Sequence, residues 1–187
     1  AIDPGGILAY TEVTAQFAAP IDLSGGNTGL ITMDLGQGRT QNNTEDKSSY
    51  ITGYDSAGNV SFRLFLSGNN NGLNDERLHH VAADGTLTPL GSREDFRNIG
   101  AGGNANALKF DEGDLTGLAI ALGSGGYQVS IDRGPVLWSA AGLIDGNYES
   151  ASGVLAYAGN ATQVSKIVFS ISTSTNTGVS GGLWIDD

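Results

Sequence analysis

The side chains of this sequence that are best suited to binding chemistry are aromatic rings placed close to polar groups. Trp138 precedes the loop Asp145-Gly146-Asn147, and Tyr148 follows that loop directly. Aromatic rings pack on the apolar faces of sugar rings, while amide and carboxylate groups hydrogen-bond the sugar hydroxyls. The spacing therefore predicts that Trp138 and Tyr148 line one edge of a glycan site, with a core position as the competing interpretation for Trp138. Three further aromatic candidates are Tyr50, Tyr54 and Trp184, of which the last lies between aliphatic residues and fits a core position better.

The two histidines of the chain are adjacent, at His79 and His80. Neighbouring residues of a β-strand face opposite ways, so we expect one ring to face the core or a groove and the other to face water. The same alternation places Arg63 and Phe65 on one face of their strand. These two residues share a face with His79 if the two strands are neighbours. Arg63 and His79 are therefore predicted glycan contacts, and a lyase role for this pair is an alternative.

The residue pattern gives less support to other chemistry. Glycoside hydrolysis needs two carboxylates held across a cleft, and no predicted strand carries acidic residues in an alternating pattern. The acidic run Asp111-Glu112-Gly113-Asp114 is typical of a solvated turn, with a cation site as the alternative. The chain has no cysteine and no histidine cluster with zinc-ligand spacing, and no Gly-x-Ser-x-Gly segment joins a strand to a helix. We therefore predict no catalytic residue and favour binding over catalysis.

The charge of the chain excludes two classes of partner. Twenty acidic residues against nine basic ones give a net charge of −11. Nucleic acid and anionic membranes are repelled by such a field, whereas cations, neutral glycans and basic partners are compatible with it. The competing interpretation is that acidity only keeps an extracellular protein soluble. No apolar run is long enough to predict insertion into a membrane.

Short runs of alternating apolar and polar residues predict an all-β chain. Tyr54 to Val60 reads as the turn of one hairpin, and Ala83-Asp84-Gly85 reads as the turn of a second. The pattern predicts about twelve strands, one of them at Gly153–Ala158, with glycine-rich turns between them. We expect one two-sheet antiparallel sandwich that spans residues 1–187 and has been excised from a longer chain.

Three segments resemble the concanavalin-A-like (laminin-G-like) jelly rolls of bacterial secreted proteins. They are Gly117–Ile120 with Gly126–Gly134, the hairpin Tyr54–Asn59, and the closing Gly181–Asp187. The resemblance implies a jelly-roll sandwich similar to carbohydrate-binding modules. In several such families a structural calcium joins the first and last strands. Carried over to this chain, the metal ligands are Asp186 and Glu12, with Asp3 or Asp22 as weaker substitutes for Glu12.

We therefore expect a non-catalytic glycan-binding module of a secreted or cell-surface bacterial protein, with Ca²⁺ in a structural role. Its partners are a polysaccharide or surface glycan and the neighbouring domains of a longer chain. Two alternatives stay open, because this fold hosts several functions. One is a structural or adhesive surface domain without a sugar site, and the other is a polysaccharide-degrading enzyme of the same fold.

Overall fold

The computed structural model describes residues 10–37, 48–67, 78–91, 97–98, 107–108, 116–132, 137–139, 142–144, 148–159, 161–172 and 183–186. Apart from one 3-10 turn at Ser24–Gly26, the regular structure of these residues is all β. The strands are β1 (Tyr10–Asp22), β2 (Gly29–Gln37), β3 (Ser48–Tyr54), β4 (Val60–Ser67), β5 (Leu78–Val81), β6 (Leu87–Leu90), β7 (Arg97–Asn98), β8 (Ala107–Leu108), β9 (Thr116–Gly123), β10 (Gly126–Asp132), β11 (Leu137–Ser139), β12 (Gly142–Ile144), β13 (Tyr148–Ser150), β14 (Gln163–Ser172) and β15 (Leu183–Asp186).

Two antiparallel sheets hold most of these strands. The first has six strands in the order β1-β14-β3-β4-β5-β6, and the second has five in the order β13-β10-β9-β2-β15. Strands β7 and β8 form one separate two-stranded sheet, and β11 and β12 form another. The prediction of an all-β, two-sheet antiparallel sandwich of the jelly-roll kind is thereby confirmed.

The core lies between the two sheets and follows from the period of two in each strand. Phe62, Leu64 and Leu66 of β4 are each at most 1% exposed and belong to the main apolar cluster, as do Leu118 and Ile120 of β9. Successive side chains of a strand point to opposite faces, so the residues between these positions point away from the core. This alternation creates an outer face on each sheet.

The hairpin between β3 and β4 has the turn that the sequence predicts. The carboxylate of Asp55 accepts hydrogen bonds from the backbone N–H groups of Ala57 and Asn59 and from the Asn59 amide. Gly58 has φ +86°, a left-handed conformation that glycine adopts without steric cost. The register shifts between Gly53 and Tyr54, and Val60 is consequently only half-buried. The turn fixes which residues of the two strands lie opposite each other.

One predicted strand is wrong. Residues 153–158 form no strand and contact both sheets at isolated points instead. Leu155 makes one bridge with Tyr127 of β10, and the Ala158 N–H donates to the carbonyl of Ser61 in β4. The segment crosses an end of the sandwich, so its alternating apolar residues serve that closure and not a sheet ladder.

In the described part of the chain, no helix has the length and apolar character needed to cross a bilayer.

Candidate functional site

The outer face of the six-stranded sheet brings the predicted residues Arg63, His79 and Glu12 onto one surface. The strand registers align two rows of side chains across it. The first row contains Glu12, Ser170, Tyr50, Phe65, His79 and Pro89, and the second contains Thr14, Val168, Thr52 and Arg63. We call this surface the six-strand outer face. The expectation that Arg63, Phe65 and His79 share a face is confirmed.

Three rings of the first row contact one another across neighbouring strands. The ring centroids of Tyr50 and Phe65 are 5.1 Å apart, and those of Phe65 and His79 are 5.7 Å apart. Both pairs are tilted, the arrangement that the ring quadrupole favours. Phe65 is 8% exposed and His79 is 1% exposed, although both lie outside the main apolar cluster. We call Tyr50, Phe65 and His79 the aromatic row.

Arg63 is held beside the aromatic row by two contacts. Its Nε donates a hydrogen bond of 3.3 Å to Oγ1 of Thr52, which lies opposite it on β3. Its guanidinium carbon lies 5.8 Å from the ring centroid of Tyr50, within the range of a cation–π contact. The terminal N–H groups of a guanidinium lie beyond Nε, so these contacts orient the fork without engaging all of its donors. Arg63 is thus partly preorganised for a hydrogen-bonding ligand.

A second cation and tyrosine lie on the same face. Lys166 of β14 stands opposite Tyr54 of β3, and its Nζ lies 5.2 Å from the ring centroid of Tyr54. Both residues are half-exposed. The face therefore combines two cations and two tyrosines with the hydroxyl groups of neighbouring residues. This set can stack on a ring and hydrogen-bond a polyhydroxylated ligand.

The titratable groups of this face limit the reactions that its described side chains can perform. Glu12 is an exposed carboxylate on the edge strand β1. Because β-strands in a sheet are about 4.8 Å apart, four strand steps separate Glu12 from His79 by roughly 19 Å. Among the described side chains of the face, Glu12 is the one carboxylate, whereas glycoside hydrolysis uses a pair.

The second histidine faces the core, and the expectation that one of the pair faces water is wrong. His80 is 7% exposed, and its Nδ1 lies 2.6 Å from the hydroxyl of Tyr127 in β10. Burial lowers the pKa of His80 and, together with the nearby Tyr157 hydroxyl, raises that of Tyr127. Tyr157 hydrogen-bonds the backbone of Gly123 at the other sheet. His80 therefore belongs to a polar contact between the sheets and not to the outer face.

Trp138 and Tyr148 lie in other sheets than Arg63 and His79. Trp138 is in β11, which pairs only with β12 in the described chain, and Tyr148 is in β13, an edge of the five-stranded sheet. Their side chains lie outside the described part of the structure. Their joint role at one edge of a glycan site stays a prediction.

The two predicted calcium ligands lie on edge strands of different sheets. Glu12 is in β1, and Asp186 is in β15, where it pairs with Asp34. The register directs Glu12 to the six-strand outer face, and the side chain of Asp186 lies outside the described part. Among the side chains that the structure describes, no three His, Asp or Glu residues come close enough to hold a metal ion. Calcium at Asp186 and Glu12 stays a prediction.

A separate depression lies at the outer face of the five-stranded sheet, around the β9–β10 turn. It is a shallow depression of about 730 Å³. Its lining includes Leu30, Ala121, Gln128 and Val154, together with five glycines. Leu30 and Val154 are 65% and 68% exposed. None of its described lining residues is aromatic or charged, so these residues offer a glycan fewer directional contacts than those of the six-strand outer face.

Two contributors to the six-strand outer face were not predicted. The β3–β4 pairing places Thr52 opposite Arg63, and counting back from the turn would not have identified it, because the register shifts between Gly53 and Tyr54. Lys166 comes from β14, which enters the sheet between β1 and β3. No local sequence pattern indicates that placement, because it depends on a long-range strand order.

No protein-family model matches the chain, and no curated protein matches it. The chain is distantly similar to solved structures of a tetrameric galectin from the ball sponge Cinachyrella sp. and of congerin II bound to lactose and MES. The galectin is 9% identical over 95% of this chain and 96% of its own, with a TM-score of 0.44. Congerin II is 10% identical over 94% of this chain and 100% of its own, with a TM-score of 0.33. We transfer neither residues nor function from structures this distant.

Proposed function

We propose that this protein is a non-catalytic glycan-binding module and that the six-strand outer face is its binding surface. The observation that carries the proposal is the contact of Arg63 with Tyr50 and Thr52, beside the aromatic row. Tyrosine rings supply stacking area at low entropic cost, and a fixed guanidinium supplies directional donors. Together they match a ring that carries hydroxyl groups.

The direct test is a glycan-array screen followed by titration calorimetry of each bound glycan. We expect Tyr50→Ala to weaken binding by about tenfold, since loss of one stacking ring costs on the order of 1–2 kcal/mol. The matched control is Gln128→Ala, an exposed position on the outer face of the other sheet. If no glycan binds, or if the control weakens binding as much as Tyr50→Ala, the proposal fails. Failure of every glycan to bind favours the structural or adhesive alternative.

The enzyme alternative needs a separate measurement. Incubation of the protein with each bound polysaccharide, followed by assay of reducing ends and of unsaturated products, detects hydrolase and lyase activity. We expect neither product to form. Product formation that His79→Gln abolishes would replace the binding proposal with the lyase alternative.

The proposal also includes calcium at Asp186 and Glu12, a secreted or cell-surface location, and neighbouring domains. We expect excess chelator to lower the thermal unfolding midpoint by several degrees, because a ligand at a hundred times its Kd adds about 2.7 kcal/mol. Asp186→Asn and Glu12→Gln should each remove that response. An unchanged midpoint in chelator would overturn the calcium part and leave the binding surface unaffected.

A further inference from the structure

The cations of the six-strand outer face stand apart from the charge of the rest of the chain. The sequence has nine Lys and Arg residues against twenty Asp and Glu residues. Two of those cations, Arg63 and Lys166, have side chains that the structure describes, and both lie on this one face. We call Arg63 and Lys166 the cation pair. Their placement concentrates positive charge where a glycan is proposed to bind.

The cation pair flanks β3 from its two sides. Arg63 stands opposite Thr52, and Lys166 stands opposite Tyr54, two residues further along β3. From the spacing of strands and residues in a sheet, the two Cα atoms are about 12 Å apart. Each cation also lies over a tyrosine ring of β3. The face therefore presents two separated positive charges with stacking rings between and beside them.

Neither cation is neutralised by a described carboxylate. No carboxylate oxygen in the described part of the chain forms an ion pair with Arg63 or Lys166. Glu12 shares the face but stands four residues along the ladder from Lys166, which places the two Cα atoms about 14 Å apart. Asp55 follows Tyr54 directly, but its carboxylate is engaged by the backbone of its own turn. Within the described residues, no carboxylate competes with a ligand for the positive charges of the pair.

The net charge of the chain does not cancel this local field. Charges more than a Debye length apart, about 8 Å at physiological ionic strength, are largely screened from each other. A guanidinium binds carboxylates and sulfates through two parallel hydrogen bonds, and an ammonium binds them as a point charge. A neutral glycan would accept hydrogen bonds from these two groups but would leave their charges unpaired.

We infer that the ligand of this face is an anionic glycan, whose acidic groups contact Arg63 and Lys166 while its sugar rings pack on Tyr50 and Tyr54. The inference rests on the proposed function and names its ligand class. The acidic group can be the carboxylate of a uronic acid or a sulfate ester, since each carries one negative charge on oxygens that accept hydrogen bonds.

Calorimetric titration with three polymers tests the inference: hyaluronan for the uronate, dextran sulfate for the sulfate ester, and neutral dextran as the uncharged counterpart. We expect at least one anionic polymer to bind, and added salt to weaken it. The double variant Arg63→Gln, Lys166→Gln should lose about tenfold or more in affinity, because both charge-assisted contacts are removed. The control Arg97→Gln removes one positive charge from β7, in another sheet, and should retain binding.

The outcomes distinguish failure of the charge inference from failure of the proposed glycan-binding function. If neutral dextran or neutral array glycans bind and both anionic polymers do not, the charge inference is overturned and the glycan-binding function stands. If no glycan of any charge binds, both fail. If anionic binding is insensitive to salt, or Arg97→Gln reduces it as much as the double variant, the cation pair is not its site. The salt series uses the unmodified protein, so it decides the question even if the double variant does not fold.

Discussion

The two outer faces of the sandwich are built on the same strand geometry, and the rows of side chains that the structure describes differ between them. On the five-stranded sheet, the registers align Leu30, Ala121 and Gln128 in one row and Thr32, Ala119 and Ser130 in the next. None of these side chains is charged or aromatic. On the six-stranded sheet, the corresponding rows hold three contacting rings and an oriented arginine.

Sheet architecture alone therefore does not require the aromatic row. The described rows of the five-stranded sheet show that neutral, non-aromatic residues are sufficient at such positions. Ordering Arg63 and Lys166 costs side-chain entropy, up to about 2 kcal/mol each for a fully fixed side chain. A ligand that uses the ordered groups gives a physical reason for that cost.

The strongest contrast that we expect between the faces is in stability. Phe65→Ala removes a ring that is 8% exposed and contacts both Tyr50 and His79. We expect it to lower the free energy of unfolding by about 3 kcal/mol, as truncation of a buried phenylalanine does. The matched variant Leu30→Ala, at a position that is 65% exposed, should change it by less than about 0.5 kcal/mol. Urea unfolding at fixed pH measures both, and equal losses would remove the contrast.

A second contrast concerns the glycines that line the depression on the five-stranded side. Gly126 has φ +145°, and a Cβ there would collide with the carbonyl oxygen of Leu155. We expect Gly126→Ala to cost about 1–3 kcal/mol, the range of strained backbone conformations. Gly125, its neighbour in the same turn, has open space where the methyl group of an alanine would lie, so Gly125→Ala serves as the control. If both variants unfold at the same urea concentration, the close approach of Gly126 to the backbone of Leu155 does not require a glycine at this position.

A third contrast compares the hydroxyl groups of two tyrosines, one that faces the core and one on the outer face. The Tyr127 hydroxyl faces the core and lies 2.6 Å from Nδ1 of His80. We expect Tyr127→Phe to lower the free energy of unfolding by about 1–2 kcal/mol, because it leaves the buried histidine nitrogen without that partner. Tyr54→Phe on the outer face should change it by less than about 0.5 kcal/mol. Urea unfolding of the pair tests this, and a larger effect at Tyr54 would contradict the assignment of the two faces.

Alternation and turn chemistry were sufficient to predict what is local in this fold. The β3–β4 hairpin and the shared face of Arg63 and Phe65 follow from a period of two and a short turn, and the extension to His79 follows from the same period once β4 and β5 are neighbours. The position of β14 between β1 and β3 joins residues more than a hundred positions apart. Lys166 therefore could not be assigned to the face from the sequence.

Burial depth was the second quantity that the sequence did not predict. Alternation showed that His79 and His80 point opposite ways, but it does not tell how much protein covers each side. Both proved to be buried. The strand predicted at 153–158 failed for a related reason, because Leu155 and Tyr157 are partly buried against the core by closing the sandwich end and not by pairing in a sheet.

The smallest effect that we expect is the pH dependence of folding stability that arises from His80, the histidine that faces the core. Burial lowers the pKa of folded His80, whereas a histidine in the unfolded chain titrates near its ordinary value of about 6.5. Below about pH 6.5 the unfolded chain therefore binds a proton that the folded chain does not. The contribution of neutral His80 to stability is present above that pH and is lost as the pH falls toward the folded pKa, with a slope below the one-proton limit of about 1.4 kcal/mol per pH unit.

Urea unfolding of the wild type and of His80→Gln at intervals between pH 5 and pH 7.5 isolates this contribution, because glutamine does not titrate. The wild type should lose stability relative to the variant as the pH falls. The exposed carboxylates Asp22, Asp55 and Asp84 do not confuse the comparison, since hydrogen bonds from their turns lower each pKa below its ordinary value and both proteins contain all three. A flat difference across this range would mean that His80 titrates alike in both states. It would then be solvated in the folded chain and could not be the core-facing member of the histidine pair, which would undermine the assignment of the opposite side to His79.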